Sequence, residues 1–266
     1  MPRNREEQAW ADRPRQSSGG LAAIVAGEGP LVVLLHGVGL RAEAWSPVID
    51  ALSDNFQVIA PDMPGHGESG PAASTATLAD YVRAIAPTLD REAIIVGHSM
   101  GAMIALALAE QKPDRVRGVV ALNAIYKRDT EARKAVQTRA AALDGVSVSD
   151  PAPTLLRWFG AISSPAAAAC HDWLTTVDPR GYRTAYKVFA TEDGPSGSTL
   201  ARLAVPVQFI TGTDDPNSTP DMSRKMAALA SNGQAQIIEG AAHMLPMTHP
   251  ETVVSAIRDL AQTERT

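Results

Sequence analysis

The feature that most constrains this chain is the segment 93–101, which reads AIIVGHSMG. Its apolar beginning predicts a strand, and the alanine- and leucine-rich residues 102–110 predict a helix that follows at once. A strand that turns this sharply into a helix strains the backbone at the turn. It also leaves no room for side chains two positions before and two positions after. Gly97 and Gly101 meet that requirement, with Ser99 between them.

The pattern Gly-x-Ser-x-Gly between a strand and a helix is the nucleophile elbow, which exposes the serine hydroxyl at the end of a strand. Ser99 is therefore a candidate catalytic nucleophile. The alternative is a serine that only caps the following helix. Because a serine hydroxyl is a weak nucleophile at neutral pH, the catalytic interpretation requires a histidine base and an acid that orients this base.

The candidate acid follows the apolar run 205–211, which predicts a buried parallel strand. This run leads into two adjacent aspartates, Asp214 and Asp215. An acid that precedes the histidine in the chain is the order that accompanies this motif. We favour Asp215, because the other aspartate can cap the turn or the helix that begins near Pro220.

The candidate base is His243, which follows a second short apolar run at residues 236–239. Its rival, His249, directly precedes a Pro-Glu pair typical of the first turn of a helix, so a local role is expected for His249. The sequence thus predicts a catalytic triad of Ser99, His243 and Asp215.

Two further segments extend this pattern, HGVG at residues 36–39 and PDMPGHGES at residues 61–69. Together with the ordered serine, aspartate and histidine, they resemble the α/β-hydrolase family over roughly residues 21–260, apart from a middle section. The resemblance implies an α/β fold with a mostly parallel central sheet flanked by helices and an inserted helical cap. The implied parts are a polar N-terminal arm (1–18), a hydrolase core (19–125 and 201–266) and the cap, or lid (126–200).

The resemblance also implies an oxyanion hole. In that family the loop after the strand Leu31–Leu35 and the residue after the nucleophile each contribute one backbone N–H. Matched to this sequence, the donors are the amides of Val38 and Met100. Preorganised N–H groups stabilise the negative charge that forms when the serine attacks a carbonyl. Three other histidines near these loops are expected to be structural: His36, His66 and His98.

The order of elements supports the same fold. After residue 19, β-type runs alternate with helical stretches, which predicts a mostly parallel sheet with helices on both faces. Residues 21–25 and 31–35 are predicted strands, and the GEGP turn between them indicates a hairpin. Residues up to about 18 are expected to form a polar, frayed arm, which Trp10 could anchor.

The strand predicted at 116–122 helps to place the acid. Some α/β-hydrolases carry the acid after this strand, whereas this chain has Asn123 there. This supports the acid at Asp215. A serine nucleophile also argues against the haloalkane dehalogenase and epoxide hydrolase branches, which use aspartate.

The middle section lacks convincing strands and is rich in helix formers. Its aromatic side chains are expected to pack the cap onto the core, and a few of them to line the pocket. These are Trp158, Phe159, Trp173, Tyr182, Tyr186 and Phe189. Candidates to pair with a substrate carboxylate are Arg157, Arg180, Arg183 and Lys187, although exposed charges of this kind are usually only solvated.

Composition excludes several classes of function. The net charge of −5 offers nothing to attract nucleic acid or an acidic membrane. No run of membrane-spanning length or secretory signal is recognised, and the single Cys170 excludes an internal disulfide, so a cytoplasmic location is expected. The six histidines are scattered and no dinucleotide motif follows a strand, so no metal and no cofactor are expected. A homodimer is compatible with such a fold.

The expected function is hydrolysis of a small-molecule substrate, a small carboxylic ester or lactone, through an acyl-enzyme. Enol-lactonases, carboxylesterases and carbon–carbon bond hydrolases show the same general pattern. The triad serves equally well in a carbon–carbon bond hydrolase of ring-fission products, an acyltransferase or a cofactor-free perhydrolase. A non-catalytic ligand receptor on the same scaffold is a further alternative.

Overall fold

The computed structural model describes residues 10–263, and an eight-stranded sheet forms their centre. The strands are β1 (Gln16–Ser18), β2 (Leu21–Ala26), β3 (Leu31–Leu35), β4 (Gln57–Pro61), β5 (Ala93–His98), β6 (Val116–Leu122), β7 (Val207–Gly212) and β8 (Gly233–Ile238). Their spatial order is β1-β2-β4-β3-β5-β6-β7-β8. The pairs β1–β2 and β2–β4 are antiparallel, and all the others are parallel. The mostly parallel sheet predicted from the sequence is confirmed.

Eleven α-helices accompany the sheet in the described part of the chain. They are α1 (Ser46–Leu52), α2 (Leu78–Ile85), α3 (Met100–Gln111), α4 (Thr130–Ala142), α5 (Ala152–Phe159), α6 (Pro165–Thr176), α7 (Pro179–Thr191), α8 (Gly197–Arg202), α9 (Pro220–Leu229), α10 (Leu245–Thr248) and α11 (Pro250–Gln262). None of the helices in residues 10–263 combines the length and apolar character needed to cross a bilayer.

The core lies on both faces of the sheet, as β3 illustrates. Val33 and Leu35 pack into one cluster with side chains of α2, α3 and α9. Val32 and Leu34 face the opposite cluster, which contains side chains of α1 and α11. Because both faces of β3 are buried, its sequence is a continuous apolar run rather than an alternating one.

The local signals in the sequence match the observed helix boundaries. The Thr77 N–H donates to the Asp80 carboxylate at 2.8 Å, which caps the start of α2. The helix ends at Ile85, and a short 3₁₀ segment, Ala86–Thr88, contains Pro87. Proline lacks the N–H that continues an α-helix, which accounts for the end of this helix before Pro87.

The predicted hairpin between the first two apolar runs is wrong. Strand β2 pairs with β4, and β4 lies between β2 and β3 in the sheet. The glycine-rich turn instead brings the chain against the segment that leads into β4. An added Cβ at Gly27 (φ +70°) would overlap the main-chain oxygens of Ser53 and Phe56. The glycines in this turn therefore allow two stretches of main chain to approach closely, and they do not form a hairpin turn between paired strands.

The expectation of a frayed N-terminal arm is wrong for residues 10–18, whereas residues 1–9 lie outside the described residues. Residues 16–18 form β1, and the buried Arg15 guanidinium binds the Glu43 carboxylate through two bonds of 2.7 Å each. The same group donates to Asp62 at 2.8 Å. Trp10 packs edge-on against Trp173 with ring centroids 6.5 Å apart. Ion pairs thus fix this segment to the core, and aromatic packing joins Trp10 to helix α6.

Helices α4–α8 lie between β6 and β7 in the chain, and we call them the inserted helices. No strand occurs among them within the described residues. They lie against the carboxyl ends of the central strands, next to the loops that follow β5, β6 and β7. In open α/β sheets, ligands bind at this edge. The fold therefore places any site between the inserted helices and the strand ends.

Candidate active site

The turn after β5 has the strained geometry that its glycines predict. Ser99 has φ 56° and ψ −115°, a backbone conformation that non-glycine residues rarely adopt. An added Cβ at Gly97 would overlap the carbonyl of Gly101, and one at Gly101 would overlap the carbonyl oxygen of Leu35. The Ser99 side chain makes no capping hydrogen bond to α3. The helix-cap alternative is therefore not supported, and the hydroxyl is available for another role.

The structure brings His243 together with Asp215. The Nδ1 of His243 donates to the carboxylate of Asp215 at 2.7 Å, and both side chains are buried. By contrast, Asp214 is exposed and accepts a hydrogen bond from the neighbouring Thr213 hydroxyl at 3.0 Å. His249 lies at the start of α11 and binds the adjacent Thr248 side chain at 2.9 Å.

The carboxylate of Asp215 is held on both oxygens. Oδ1 accepts the backbone N–H groups of Asn217 at 2.8 Å and Ser218 at 3.2 Å. Oδ2 accepts the side-chain amide of Asn123 at 2.8 Å besides the His243 ring. Burial opposes ionisation of Asp215, but the charge and hydrogen bond of His243 and these donors outweigh it, so the pKa lies below its ordinary value. The aspartate is thus an anion at neutral pH.

Sequence reasoning missed Asn123 as a partner of the candidate acid. It noted only that position 123 lacks a carboxylate. The signal was topological, because β6 and β7 are neighbours and the residues that follow their carboxyl ends lie side by side. Asn123 itself is fully buried with φ 49°.

Ser99 and His243 line the wall of the same pocket. Within residues 10–263, the Ser99 hydroxyl and the His243 ring form no hydrogen bond in this conformation. In unliganded enzymes such bonds are often long or poorly aligned, and they tighten when substrate binds. The candidate nucleophile and the candidate base thus share one cavity.

One predicted oxyanion donor directly follows the candidate nucleophile in the chain, and the other lines the same pocket. Val38 lines the pocket. Met100 is the first residue of α3, where backbone N–H groups have no partner within the helix. The loop that carries Val38 is held by the next residue, since the Gly39 N–H donates to Nε2 of the buried His66 at 3.0 Å. His36 has a similar role, because its Nε2 accepts the Met63 N–H at 2.9 Å.

Three buried histidines lead to a testable pH dependence. Burial lowers the pKa of His36, His66 and His98 from the ordinary 6.5, to about 3 for the last two. Between these values the unfolded chain binds protons that the native protein does not, so stability present above pH 6.5 is lost as the pH falls. For His66 and for His98 we expect the free energy of unfolding to drop by about 1 kcal/mol or more each from pH 7 to 5.

Urea unfolding at a series of pH values measures this dependence. His66→Gln should make the free energy of unfolding depend less steeply on pH, because it removes one of the buried imidazoles. A slope that is the same in wild type and in His66→Gln would contradict the assignment of a neutral, buried imidazole.

The pocket is a small cavity of about 40 Å³ in this conformation. The core contributes Val38, His98, Ser99, Asn217 and His243. The inserted helices contribute Arg157, Trp158, Tyr182, Tyr186 and Phe189. The wall is thus mostly aromatic and apolar, with the candidate catalytic groups on one side and one cation on the other.

Arg157 is the cation that the structure selects among the four basic candidates. Its guanidinium donates to the Thr154 hydroxyl at 2.9 Å, and no carboxylate pairs with it in the described part of the chain. Arg180 is exposed and paired with Asp178, and Arg183 donates to the Asp144 carbonyl at 3.3 Å. Burial, followed by the neighbouring Arg139 charge, lowers the pKa of Arg157. An arginine side chain remains charged at neutral pH even so.

Known proteins share this sequence and architecture. A model of the alpha/beta hydrolase family matches residues 32–256. The chain is 41% identical over 243 residues to (E)-2-((N-methylformamido)methylene)succinate hydrolase from Acinetobacter baylyi, covering 89% of this chain and 92% of that protein.

Solved structures show the same likeness. A thermophilic esterase from Thermogutta terrifontis, with malate bound, superposes with a TM-score of 0.80 at 27% identity, covering 92% of this chain and 94% of that one. The enol-lactonase from Burkholderia xenovorans LB400 superposes with a TM-score of 0.81 at 24% identity, covering 94% and 100% of the two chains, and shows the shared fold. From the match to the family model over most of its length, and from the relative that is 41% identical, the chain belongs to the alpha/beta hydrolase family.

Proposed function

We propose that this protein is a serine hydrolase with Ser99 as nucleophile, His243 as general base and Asp215 as the group that orients the base. The observation that carries the proposal is the 2.7 Å bond between Asp215 and Nδ1 of His243 in a pocket that Ser99 also lines. This bond leaves Nε2 of the imidazole as the atom that can take a proton from the serine.

The reaction follows from these positions. His243 takes the Ser99 proton as the serine oxygen attacks the substrate carbonyl, and the backbone N–H groups of Val38 and Met100 stabilise the resulting oxyanion. Loss of one such donor costs roughly 3–4 kcal/mol of barrier. The imidazolium then gives its proton to the leaving group, and an acyl-enzyme remains. Water, deprotonated by the same histidine, attacks this ester and releases the acid and free Ser99.

We further propose that the substrate is a small acyl compound with at least one free carboxylate. Arg157 supports this class, because it presents a half-buried guanidinium without an acidic partner in the described structure to the pocket that holds Ser99. Carboxylates bind such a group through charge-assisted hydrogen bonds. The Acinetobacter relative acts on a succinate with an N-methylformamido-methylene group. A substrate of that type, cleaved at the amide bond by water to an acid and an amine, is our first candidate.

A small carboxylic ester or lactone is the second candidate. The esterase from Thermogutta terrifontis, at 27% identity, supports it. A matched panel separates the candidates: N-acylaminomethylene succinates, p-nitrophenyl esters, lactones and ring-fission diketones, each followed by release of the product acid. The inserted helices, which cover the strand ends and supply the aromatic wall, are proposed to act as the cap that selects among such substrates. Absence of turnover on every class, together with no labelling by a fluorophosphonate probe, would favour a non-catalytic receptor.

Replacement of Arg157 tests the substrate class. Arg157→Met should lower kcat/KM for carboxylate-bearing substrates about 10- to 100-fold, because a charge-assisted hydrogen bond contributes about 1.5–3 kcal/mol. The methyl ester of the same carboxylate should lose little.

Arg180→Met is the matched control for this comparison. Its guanidinium is exposed and already paired with Asp178, so activity should be unchanged. Equal losses on charged and neutral substrates in Arg157→Met would show that Arg157 maintains the shape of the pocket and does not bind the carboxylate.

A further inference from the structure

The main chain of His243 is held on both sides of its Cα. The His243 N–H donates to the carbonyl oxygen of Trp158 at 3.2 Å. The His243 carbonyl accepts a hydrogen bond from Nε2 of His98 at 2.8 Å. The imidazole of His243 also lies near both rings, with its centroid 4.9 Å from that of His98 and 6.2 Å from that of Trp158.

We propose that His98 is a positioning residue for the reaction, because its Nε2–H places the main chain of His243 and thereby aims the imidazole at Ser99. The inference rests on the proposed function. His98 and Ser99 are consecutive residues at the end of β5, so their relative position is fixed by one peptide bond. The hydrogen bond from His98 therefore fixes the main chain of the base, 145 residues further along the chain, relative to Ser99.

The environment of His98 suits this role. The side chain is buried, and an added Cβ on Gly37 would lie 3.2 Å from Nδ1 of His98 and 3.2 Å from Cβ of Ser99. The ring is thus confined between the predicted oxyanion loop and the loop of the base. Burial, and next the charge of His243, lower the pKa of His98 to about 3, so the ring is neutral and one nitrogen must donate.

The tautomer of His98 differs from that of two neighbours. Because Nε2 donates to a carbonyl, Nδ1 carries the lone pair, and this buried atom has no partner among residues 10–263. In His36 and His66, Nε2 instead accepts a backbone N–H, so their proton lies on Nδ1. An unpaired buried acceptor is unfavourable. Since Nδ1 has no polar partner in the described structure, the hydrogen bond from Nε2 to the His243 carbonyl is the contact that accounts for a histidine at this position.

Asp215 supplies the remaining constraint on the base. Its bond to Nδ1 sets the rotation of the His243 ring, whereas His98 and Trp158 set the position of the backbone that carries it. A displacement of about 1 Å at a reacting group can reduce a rate about 100-fold. Loss of the His98 donor should therefore lower kcat, which reports the chemical step, more than it changes KM.

Three substitutions at position 98 test the proposal. The amide of His98→Gln can place an N–H donor near the site of Nε2, whereas His98→Asn is too short and His98→Leu has no donor. We expect kcat to fall about 10- to 100-fold in the Asn and Leu variants, with KM within about threefold of wild type, and Gln to recover most of the loss. Rates of labelling by a fluorophosphonate should follow the same order.

The outcomes separate positioning from a purely structural role. Folded Asn and Leu variants that keep wild-type kcat would overturn the proposal, as would a Gln variant no better than Leu at equal thermal stability. If the wild-type protein neither turns over substrate nor reacts with the probe, the proposed function fails, and the positioning role of His98 in that reaction fails with it.

One further measurement uses the wild-type protein and therefore does not depend on whether a variant folds. In protein with ¹⁵N-labelled histidine at pH 7, NMR should show His98 protonated on Nε2 and His36 and His66 protonated on Nδ1. A proton on Nδ1 of His98 would remove the hydrogen bond to His243, and it would overturn the proposal whatever the activity of the variants.

Discussion

Alanine at position 99 is expected to reduce kcat by about 10⁴-fold or more while the protein remains folded. Without the hydroxyl no acyl-enzyme can form, and the histidine and its aspartate then have no nucleophile to activate. The substitution keeps a Cβ at the strained turn, where φ is 56°, so the backbone strain is the same in both proteins. Steady-state rates on a turned-over substrate, with the melting temperature measured in parallel, provide the test.

A second serine is the control for this experiment. Ser198 is exposed near the start of α8, far in sequence from the elbow, and Ser198→Ala should keep full activity. A fluorophosphonate should label wild type and Ser198→Ala but not Ser99→Ala. Residual activity above a tenth of wild type in Ser99→Ala would show that another group is the nucleophile.

Alanine at position 101 is expected to destabilise the fold by about 3 kcal/mol or more. The added Cβ would overlap the carbonyl oxygen of Leu35, at the end of β3. This strand is hydrogen-bonded on both sides, to β4 and to β5, so neither the strand nor the first turn of α3 can move away without loss of packing. Insertion of atoms into a fully packed site typically costs 1–3 kcal/mol, and contact with a fixed backbone atom belongs at the upper end or above.

Gly70→Ala is the matched control. Apart from its two chain neighbours, no residue in the described range 10–263 has a heavy atom within 4 Å of a Cβ built at Gly70, and the φ of Gly70 lies outside the left-handed region. The free energy of unfolding of this variant, measured in urea, should lie within about 0.5 kcal/mol of that of the wild type. If Gly101→Ala were as stable as Gly70→Ala, the requirement for glycine two residues after the candidate nucleophile would not be steric.

The candidate site could be read from the sequence where the signals are local. The elbow, the apolar strands and the prolines at helix starts each depend on a few consecutive residues. The strand predicted at 116–122 is observed with the same first and last residues. The preference for Asp215 over Asp214 rested on turn chemistry, and the structure places the Asp215 carboxylate against the His243 ring.

The contacts around the candidate catalytic groups could not be read in the same way. Asn123 reaches Asp215 across 92 residues, and Trp158 supplies a carbonyl to the backbone of His243. Arg157 is one of four basic candidates of equal standing in the sequence, and its position in the pocket wall distinguishes it. Each of these contacts depends on the path of the whole chain.

Short-range sterics and hydrophobic periodicity within single segments determined the identity of the elements and of the three candidate catalytic residues, because each pattern is complete within about ten residues. Tertiary structure decided the sheet neighbour of β2, the fixed position of Arg15 and the partners of His98 and Asp215. The physical reason is that strand pairing and buried polar contacts join residues tens to hundreds of positions apart. Their free energy is gained only when the complete core has formed.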